Sequence, residues 1–296
     1  MKWRLSALKY GKGICTLISI GLLFIILIAC QNTNQEGRNS QPQSLEQTKY
    51  NQEDDNDYLD DQPQLAGGSE RDVREPHPVS NNKLQKEYPN IVFLHGSPKK
   101  NQVALTFDDG PDTRFTPQVL DVLAKHDVKA TFFLIGARAK VNREIAKRIH
   151  DEGHAIGNHT YWHPNLPKEE LGRLHWELTE TEQVIKDITG FKPRLFRSPY
   201  GALNDEMVKM LGEKNNTVIG WNVDSLDWKQ PGADIVSDNV LSSVGFGSII
   251  LMHDGGDWSM DLSGTAQALD KIISKLKKDG TKFVTVPELI GVPEAK

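Results

Sequence analysis

Cysteine is almost missing from this 296-residue chain: the two that occur, Cys15 and Cys30, both fall in the first thirty residues. Everything beyond Cys30 lacks a thiol, so no disulfide framework is open to it. An excess of positive charge is missing as well. Lys and Arg number 35 against 40 Asp and Glu, a formal net charge of −5, which leaves no electrostatic footprint for nucleic acid. No internal repeat is visible. The one apolar run at the N-terminus, residues 14–29, is slightly short of the roughly 20 residues that an unaided membrane span needs.

That run is nonetheless organised. Lys2, Arg4, Lys9 and Lys12 precede it, and it stops at Leu27-Ile28-Ala29-Cys30, where the chain turns abruptly polar. A basic start, an apolar stretch and a small-residue end form a secretory signal, with an uncleaved membrane anchor as the alternative. Leu-Ile-Ala-Cys resembles a bacterial lipobox, which implies cleavage before Cys30 and a diacylglycerol on its thiol. Residues 1–29 are then a lipoprotein signal peptide. The mature chain is tethered to the outer face of the cell membrane, facing the wall, rather than threaded through the bilayer. Residues 30–90 are rich in Gln, Asn, Ser, Asp and Glu, with an acidic cluster at Glu53-Asp54-Asp55-Asn56-Asp57. Such a stretch buries too little apolar surface to offset its ordering entropy and is expected to be a disordered spacer.

From residue 91 the texture changes. Short β-rich runs are expected at 91–94, 103–107, 129–135, 155–158, 195–197, 217–222, 248–252 and 282–285. Helical periodicity is expected at 116–126, 142–152, 168–189, 205–213, 234–244 and 265–279. Gly153, Gly190 and Gly280 are placed as helix stops. The alternation predicts an α/β fold with a largely parallel sheet or barrel. Sites in such folds gather at the C-terminal ends of the strands.

The strand ends carry the chemistry. Asp108-Asp109-Gly110-Pro111 follows the second run, and His159-Thr160-Tyr161-Trp162-His163 follows the fourth. Arg197-Ser198-Pro199-Tyr200-Gly201 comes next, then Asp224-Ser225-Leu226-Asp227-Trp228, then His253-Asp254. Adjacent carboxylates repel unless a positive charge separates their roles. Two histidines four residues apart can face one ion and, with a carboxylate, leave coordination positions open. Taken alone, Asp-Asp-Gly-Pro is equally a tight turn, and two such histidines are often unrelated. His253 is a candidate proton donor, and Arg197 a partner for a carboxylate. Metal-assisted hydrolysis of an amide or ester follows: a carboxylate takes a proton from water and an acid protonates the leaving group. His77, His95, His126, His150, His154 and His175 have no visible role.

In these residues the chain resembles the NodB-homology polysaccharide deacetylases, carbohydrate esterase family 4. The resemblance covers residues 91–292 and all five motifs of the family in order, beginning with Thr106-Phe107-Asp108-Asp109-Gly110-Pro111 and ending with Ile249-Ile250-Leu251-Met252-His253-Asp254. It implies a distorted (β/α) barrel of about seven parallel strands. It makes Asp108 the general base, and Asp109, His159 and His163 the ligands of a divalent metal, zinc by preference, with cobalt or nickel as alternatives. Arg197 would orient Asp108, and the Tyr200 backbone N–H would help hold an oxyanion. Pro199, hydroxylated in some relatives, adjoins that position. Asp224 would pair with His253 as general acid, while Trp228 and Leu251 would line the acetyl pocket.

The implied reaction is removal of N-acetyl groups from cell-wall glycan, N-acetylglucosamine of peptidoglycan first, with no obligate protein partner. N-acetylmuramic acid, chitin oligomers and O-acetylated glycans are the alternative substrates. Two other classes compete: a non-catalytic wall-binding lipoprotein on the same fold, and an adhesion or spacer protein acting through its acidic segment. Trp162 is expected either to stack on a sugar ring or to narrow the cleft, and the Gly255-Gly256-Asp257-Trp258-Ser259 stretch to form a mobile loop beside the site.

Overall fold

The computed structural model describes residues 63–74 and 80–296. The expected signal peptide, Cys30, the acidic cluster and His77 lie outside the described residues. Two helices come first, α1 (Glu70–Val73) and α2 (Asn81–Glu87). Then follow β1 (Val92–Phe93), β2 (Gln102–Asp108), α3 (Thr116–Lys125), β3 (Thr131–Leu134), α4 (Gly136–Val141), α5 (Arg143–Asp151), β4 (Ala155–Asn158), α6 (Leu171–Thr189) and β5 (Leu195–Phe196). The chain ends with α7 (Asp205–Glu213), β6 (Thr217–Ile219), β7 (Val223–Asp224), α8 (Ala233–Ser243), β8 (Ile249–His253), α9 (Ser263–Lys278), β9 (Lys282–Phe283) and α10 (Val286–Ile290).

The strands form one 9-stranded sheet in the order β1-β6-β5-β4-β3-β2-β8-β7, with β9 paired to the start of β2. Every ladder is parallel. Beyond β1, His95 bridges Ser248, just ahead of β8, so the sheet curls into a distorted, incomplete barrel wrapped by helices. All the expected strands occur. An extra one arises because the 217–222 run stops at Ile219 and pairing resumes as β7 on β8. Parallel strands covered on both faces read as near-continuous apolar runs rather than alternating ones. β2 fits this, with Val103, Ala104, Leu105, Thr106 and Phe107 all at most 1% exposed. The glycines placed as helix stops do end helices: Gly153, Gly190 and Gly280 sit at φ 80°, 88° and 78°, where a Cβ would be strained.

Two boundaries need correcting. The spacer expected over residues 30–90 does not hold for residues 63–74 and 80–90. Residues 63–74 lie on the domain, with Leu65 buried beside Trp162 and Trp176. Leu84 of α2 is 1% exposed and packs with Leu94, Phe196 and Met207. One leucine at the right place anchors each segment, and average composition hides such single anchors. At the other end, the domain runs past residue 292. Ala295 bridges Pro193, and the Glu294 side chain accepts from the Ile156 N–H. Besides α1 and α2, two further helices went unexpected. α4 starts at a glycine, but α10 carried a legible signal, the capping box of Thr285 and Glu288.

Register sets the site. Asp108 pairs across β2 and β8 with His253, so the two ends of the reacting axis leave adjacent strands at the same level. β4 delivers Asn158 beside Leu134 and Phe196, and His159 follows directly. Gly157 in β4 has no room for a side chain: a Cβ would lie 2.4 Å from the Phe133 ring. That ring in turn carries the Arg197 guanidinium 4.1 Å from its centroid.

Candidate active site

Asp109 leaves β2 at φ 71°, and His163 closes the histidine loop at φ 60°. Side chains held in the left-handed region cost about 1–3 kcal/mol each and persist where the surroundings over-determine them. The surroundings here are specific. Glu177, fully buried on α6, accepts from the backbone N–H groups of Tyr161 and Trp162 at 2.5 and 2.8 Å. Arg138 donates to the Asp109 carbonyl at 2.8 Å.

Both histidines are oriented through Nδ1. His159 Nδ1–H donates to the Arg197 carbonyl at 2.8 Å. Tyr200 Oη gives its single proton to the Gly68 carbonyl at 2.6 Å, so it accepts from His163 Nδ1–H at 3.2 Å. With the Nδ1 proton committed in this way, the neutral form of each ring keeps its lone pair on Nε2, as a metal-binding imidazole must. The two Nε2 atoms lie 3.3 and 3.1 Å from Asp109 Oδ1. All three atoms are buried, and none has a hydrogen-bond partner among the described residues. Such atoms are costly to leave unsatisfied. They lie within 4.8 Å of one another. Bonds of about 2.0–2.1 Å in a tetrahedral zinc site put neighbouring ligand atoms about 3.3 Å apart. The donor set thus fits a divalent cation in number, charge, protonation and spacing.

Asp108 stands beside this group, with Oδ2 3.9 Å from His159 Nε2. Its other oxygen accepts from Arg197 Nη1 at 2.7 Å. The guanidinium is itself fixed by Thr106 Oγ1 at 2.8 Å and by the carbonyls of Ile219 and Gly220 at 3.1 and 3.2 Å. Removing one partner of a buried ion pair leaves an uncompensated charge and costs about 3–5 kcal/mol. Arg197→Ala should lose that much in chemical denaturation, and adding Asp108→Asn should recover part of it. Equal stability of Arg197→Ala and the parent chain would show the pair to be idle.

His253 Nδ1–H donates to a carboxylate at 2.7 Å, but the carboxylate is Asp227, not the expected Asp224. Asp227 also accepts from the His253 backbone N–H at 2.8 Å and from Thr265 Oγ1 at 2.9 Å. Asp224 pairs with Leu251, two residues short of His253 in register. Its side chain turns to Arg74 Nη2 at 2.9 Å. Leu226, at φ 56°, then swings the chain so that Asp227 comes under the imidazole.

Burial alone would lower the His253 pKa, but the Asp227 carboxylate outweighs it and raises the group to about 10. Stability from this raised histidine is complete below its ordinary value of 6.5 and is lost as pH rises through about 10. Burial would raise Asp227, yet the His253 charge and the donated hydrogen bonds hold it below 3.8. Its contribution is present above that value and fades as pH falls through the depressed one. Asp227→Asn should abolish the alkaline loss of stability and shift the basic limb of kcat/KM to lower pH. Asp224→Asn should do neither, as denaturation and rate profiles across pH will show.

The remaining expected residues fall around the centre. Leu251 is 1% exposed in β8, in register with Thr106. Trp228 packs with Phe115, Met260 and Leu262. Tyr200 lies on the turn Pro199–Gly201 at φ 57°. Trp162, 2% exposed, packs in the cluster with Leu65 and Ile135. The stretch after His253 is tied down, with the Gly256 carbonyl accepting from Arg138 and the Trp258 carbonyl from Arg114. His126 pairs with Asp270 at 2.7 Å, and His154 accepts from the Ala130 N–H. Sequence reasoning missed Glu70, which is 5% exposed among the charges of His253, Arg74, Asp109 and Asp108, where burial pushes its carboxyl up to about 7.

Comparison with known proteins identifies the family. Residues 95–219 match the polysaccharide deacetylase family. A peptidoglycan-N-acetylglucosamine deacetylase of Bacillus cereus is 46% identical over 196 residues, 66% of this chain and 70% of that one. A second relative of that name, from Listeria monocytogenes, is 40% identical over 70% of this chain, which spans only 44% of the Listeria protein. Among solved structures, a peptidoglycan N-acetylglucosamine deacetylase in complex with a substituted N-oxidanyl-benzamide superposes with a TM-score of 0.70 at 41% identity, covering 72% of this chain and 99% of that one. A family 4 carbohydrate esterase pseudoenzyme from Bacillus anthracis follows at TM-score 0.62 and 37% identity, over 67% of this chain and 68% of that one. By fold, by site and by descent, the chain belongs to the NodB-type polysaccharide deacetylases, family 4 of the carbohydrate esterases, close to the peptidoglycan N-acetylglucosamine deacetylases.

Proposed function

We propose that this chain hydrolyses the N-acetyl groups of N-acetylglucosamine residues in peptidoglycan, releasing acetate and leaving glucosamine in the glycan. The observation that carries the reading is the trio of buried, unsatisfied atoms on Asp109, His159 and His163, flanked by an Arg-held carboxylate and an Asp-held imidazole. Asp109, His159 and His163 would hold a divalent cation, zinc by ligand type, with cobalt and nickel also compatible. When bound, that ion supplies the positive charge that acidifies water and polarises the acetyl carbonyl.

The protein's own groups do the rest. Asp108, oriented by Arg197, takes a proton from the attacking water. The new C–O bond forms at the carbonyl carbon, and the backbone N–H of Tyr200 faces the oxygen that gains charge. His253, kept protonated by Asp227, gives a proton to the sugar nitrogen as the C–N bond breaks. Leu251 and Trp228 wall the space for the methyl group. Cys30, lipidated after removal of residues 1–29, would hold the enzyme on the outer face of the cell membrane, with the polar stretch before residue 63 reaching toward the wall.

A non-catalytic wall-binding role is the second reading, favoured by the likeness to a pseudoenzyme. Against it stands the presence together of Asp108, Arg197, Asp227 and His253 with the converging trio Asp109, His159 and His163. Acetate release from purified peptidoglycan, N-acetylglucosamine oligomers and acetylated xylan, with and without chelator, decides between them. Chelator-sensitive release, largest from peptidoglycan, is expected. No release from any of the three by zinc-loaded protein would refute the enzyme reading, and preference for another glycan would refute the substrate.

A further inference from the structure

The catalytic atoms are shut in. Asp108, Asp109 and His253 are 4%, 2% and 2% exposed, and His159 and His163 no more than 1%. A wall polymer must bring an acetamide between Asp108 and His253, so something has to leave first. Residues 63–74 lie against the loops that carry them.

The segment is fixed along its length, with Leu65 as its apolar anchor. Arg138 Nε donates to the Pro63 carbonyl at 3.1 Å. Ala66 and Gly67 donate to the carbonyls of Trp162 and His163 at 2.8 and 3.0 Å, within the histidine loop itself. Gly67 lies so close that a Cβ would come 2.4 Å from Tyr200 Oη. Arg74 lies over the rings of Trp221 and Trp228 at 4.9 and 5.0 Å and pairs with Asp224. Between these anchors α1 rests against the turn Asp227–Lys229, which puts the buried Glu70 within electrostatic reach of His253, Asp109 and Asp108. Glu70 Oε2 is buried with no hydrogen-bond partner among the described residues, and Arg74 Nε is 3.7 Å away.

We infer that residues 63–74 are an internal ligand of the active-site groove, with the Glu70 carboxylate standing where the acetyl group of substrate, and then acetate, must sit. The inference rests on the deacetylase reading for the identity of the displaced ligand. The chemistry is consistent: a carboxylate is the acid product of the reaction, and a tethered one competes at high effective concentration. The strap is held by single anchors rather than a continuous core, so a glycan with enough contacts can displace it. If the open form is about a tenth of the population, any ligand that needs it binds about tenfold more weakly or slowly than to an unstrapped site.

Two full-length variants test this. Leu65→Asp removes the apolar anchor, and Arg74→Ala removes the clamp at the opposite end without touching the core. Metal-free proteins are mixed with a zinc-loaded chromophoric chelator to follow zinc uptake, and the loaded proteins are assayed on a soluble N-acetylglucosamine oligomer. Both variants should take up zinc and turn over about tenfold faster than the parent chain. Parent-like rates in both would overturn the inference. So would slower rates, which would make the segment a support for Tyr200 and His163 rather than a competitor. Faster zinc uptake with no acetate from any form would uphold the strap and sink the proposed reaction instead.

Discussion

A His159→Ala chain should fold, fail to retain zinc after dialysis, and release acetate at least about a thousandfold more slowly than the parent, because a metal supplies several kcal/mol of transition-state stabilisation. The expectation follows from where His159 sits. Its Nδ1 spends its proton on the Arg197 carbonyl, so the ring's outward contribution is the single lone pair on Nε2. Two protein ligands, Asp109 and His163, would remain, too few to hold the ion against a chelator. The fold should survive because the hydrophobic clusters do not include this imidazole. His126→Ala, which removes a half-buried histidine that follows the last residue of α3 and pairs with Asp270, serves as the matched control and should keep both metal and rate. A His159→Ala protein with parental zinc content and parental acetate release would remove the metal centre from the argument.

Asp108→Asn separates the base from the metal. Asparagine keeps an oxygen for the Arg197 hydrogen bond at the same place, and Asp108 is not one of the three converging ligand atoms. What the amide cannot do is accept the proton of the attacking water. Zinc affinity measured by calorimetry should stay within a few-fold of the parent, while kcat falls by about 10²–10⁴, the usual contribution of a positioned general base. Parallel loss of zinc and rate would instead make Asp108 a ligand. An unchanged kcat would pass the base role to another group.

Much of the site was legible because chemistry clusters where strands end. Asp109, His159 and His163 lie on two different strand ends, yet the rule that parallel sheets gather their sites at C-terminal ends brought them to one place. Arg197 was legible from its strand end as a partner for a carboxylate, and the family resemblance implied that the carboxylate is Asp108, as found. The partner of His253 was not. Asp224 and Asp227 differ by three residues, and only the left-handed turn at Leu226 decides which of them reaches the imidazole. Such a turn at a leucine has no signature in sequence. Trp162 was ambiguous because an aromatic beside two histidines suits a sugar platform and a core equally. Its place in the Leu65 cluster depends on a segment that composition marks as spacer. The strap itself was missed for that reason: a few anchoring residues in a polar stretch do not move its average.

The most direct measurement is an anomalous difference map at the zinc edge from crystals grown with zinc. One peak bonded to Asp109 Oδ1, His159 Nε2 and His163 Nε2, with Asp108 and His253 on either side of its open positions, is predicted. A peak at other residues, or crystals of active enzyme with no metal at these three atoms, would contradict the account.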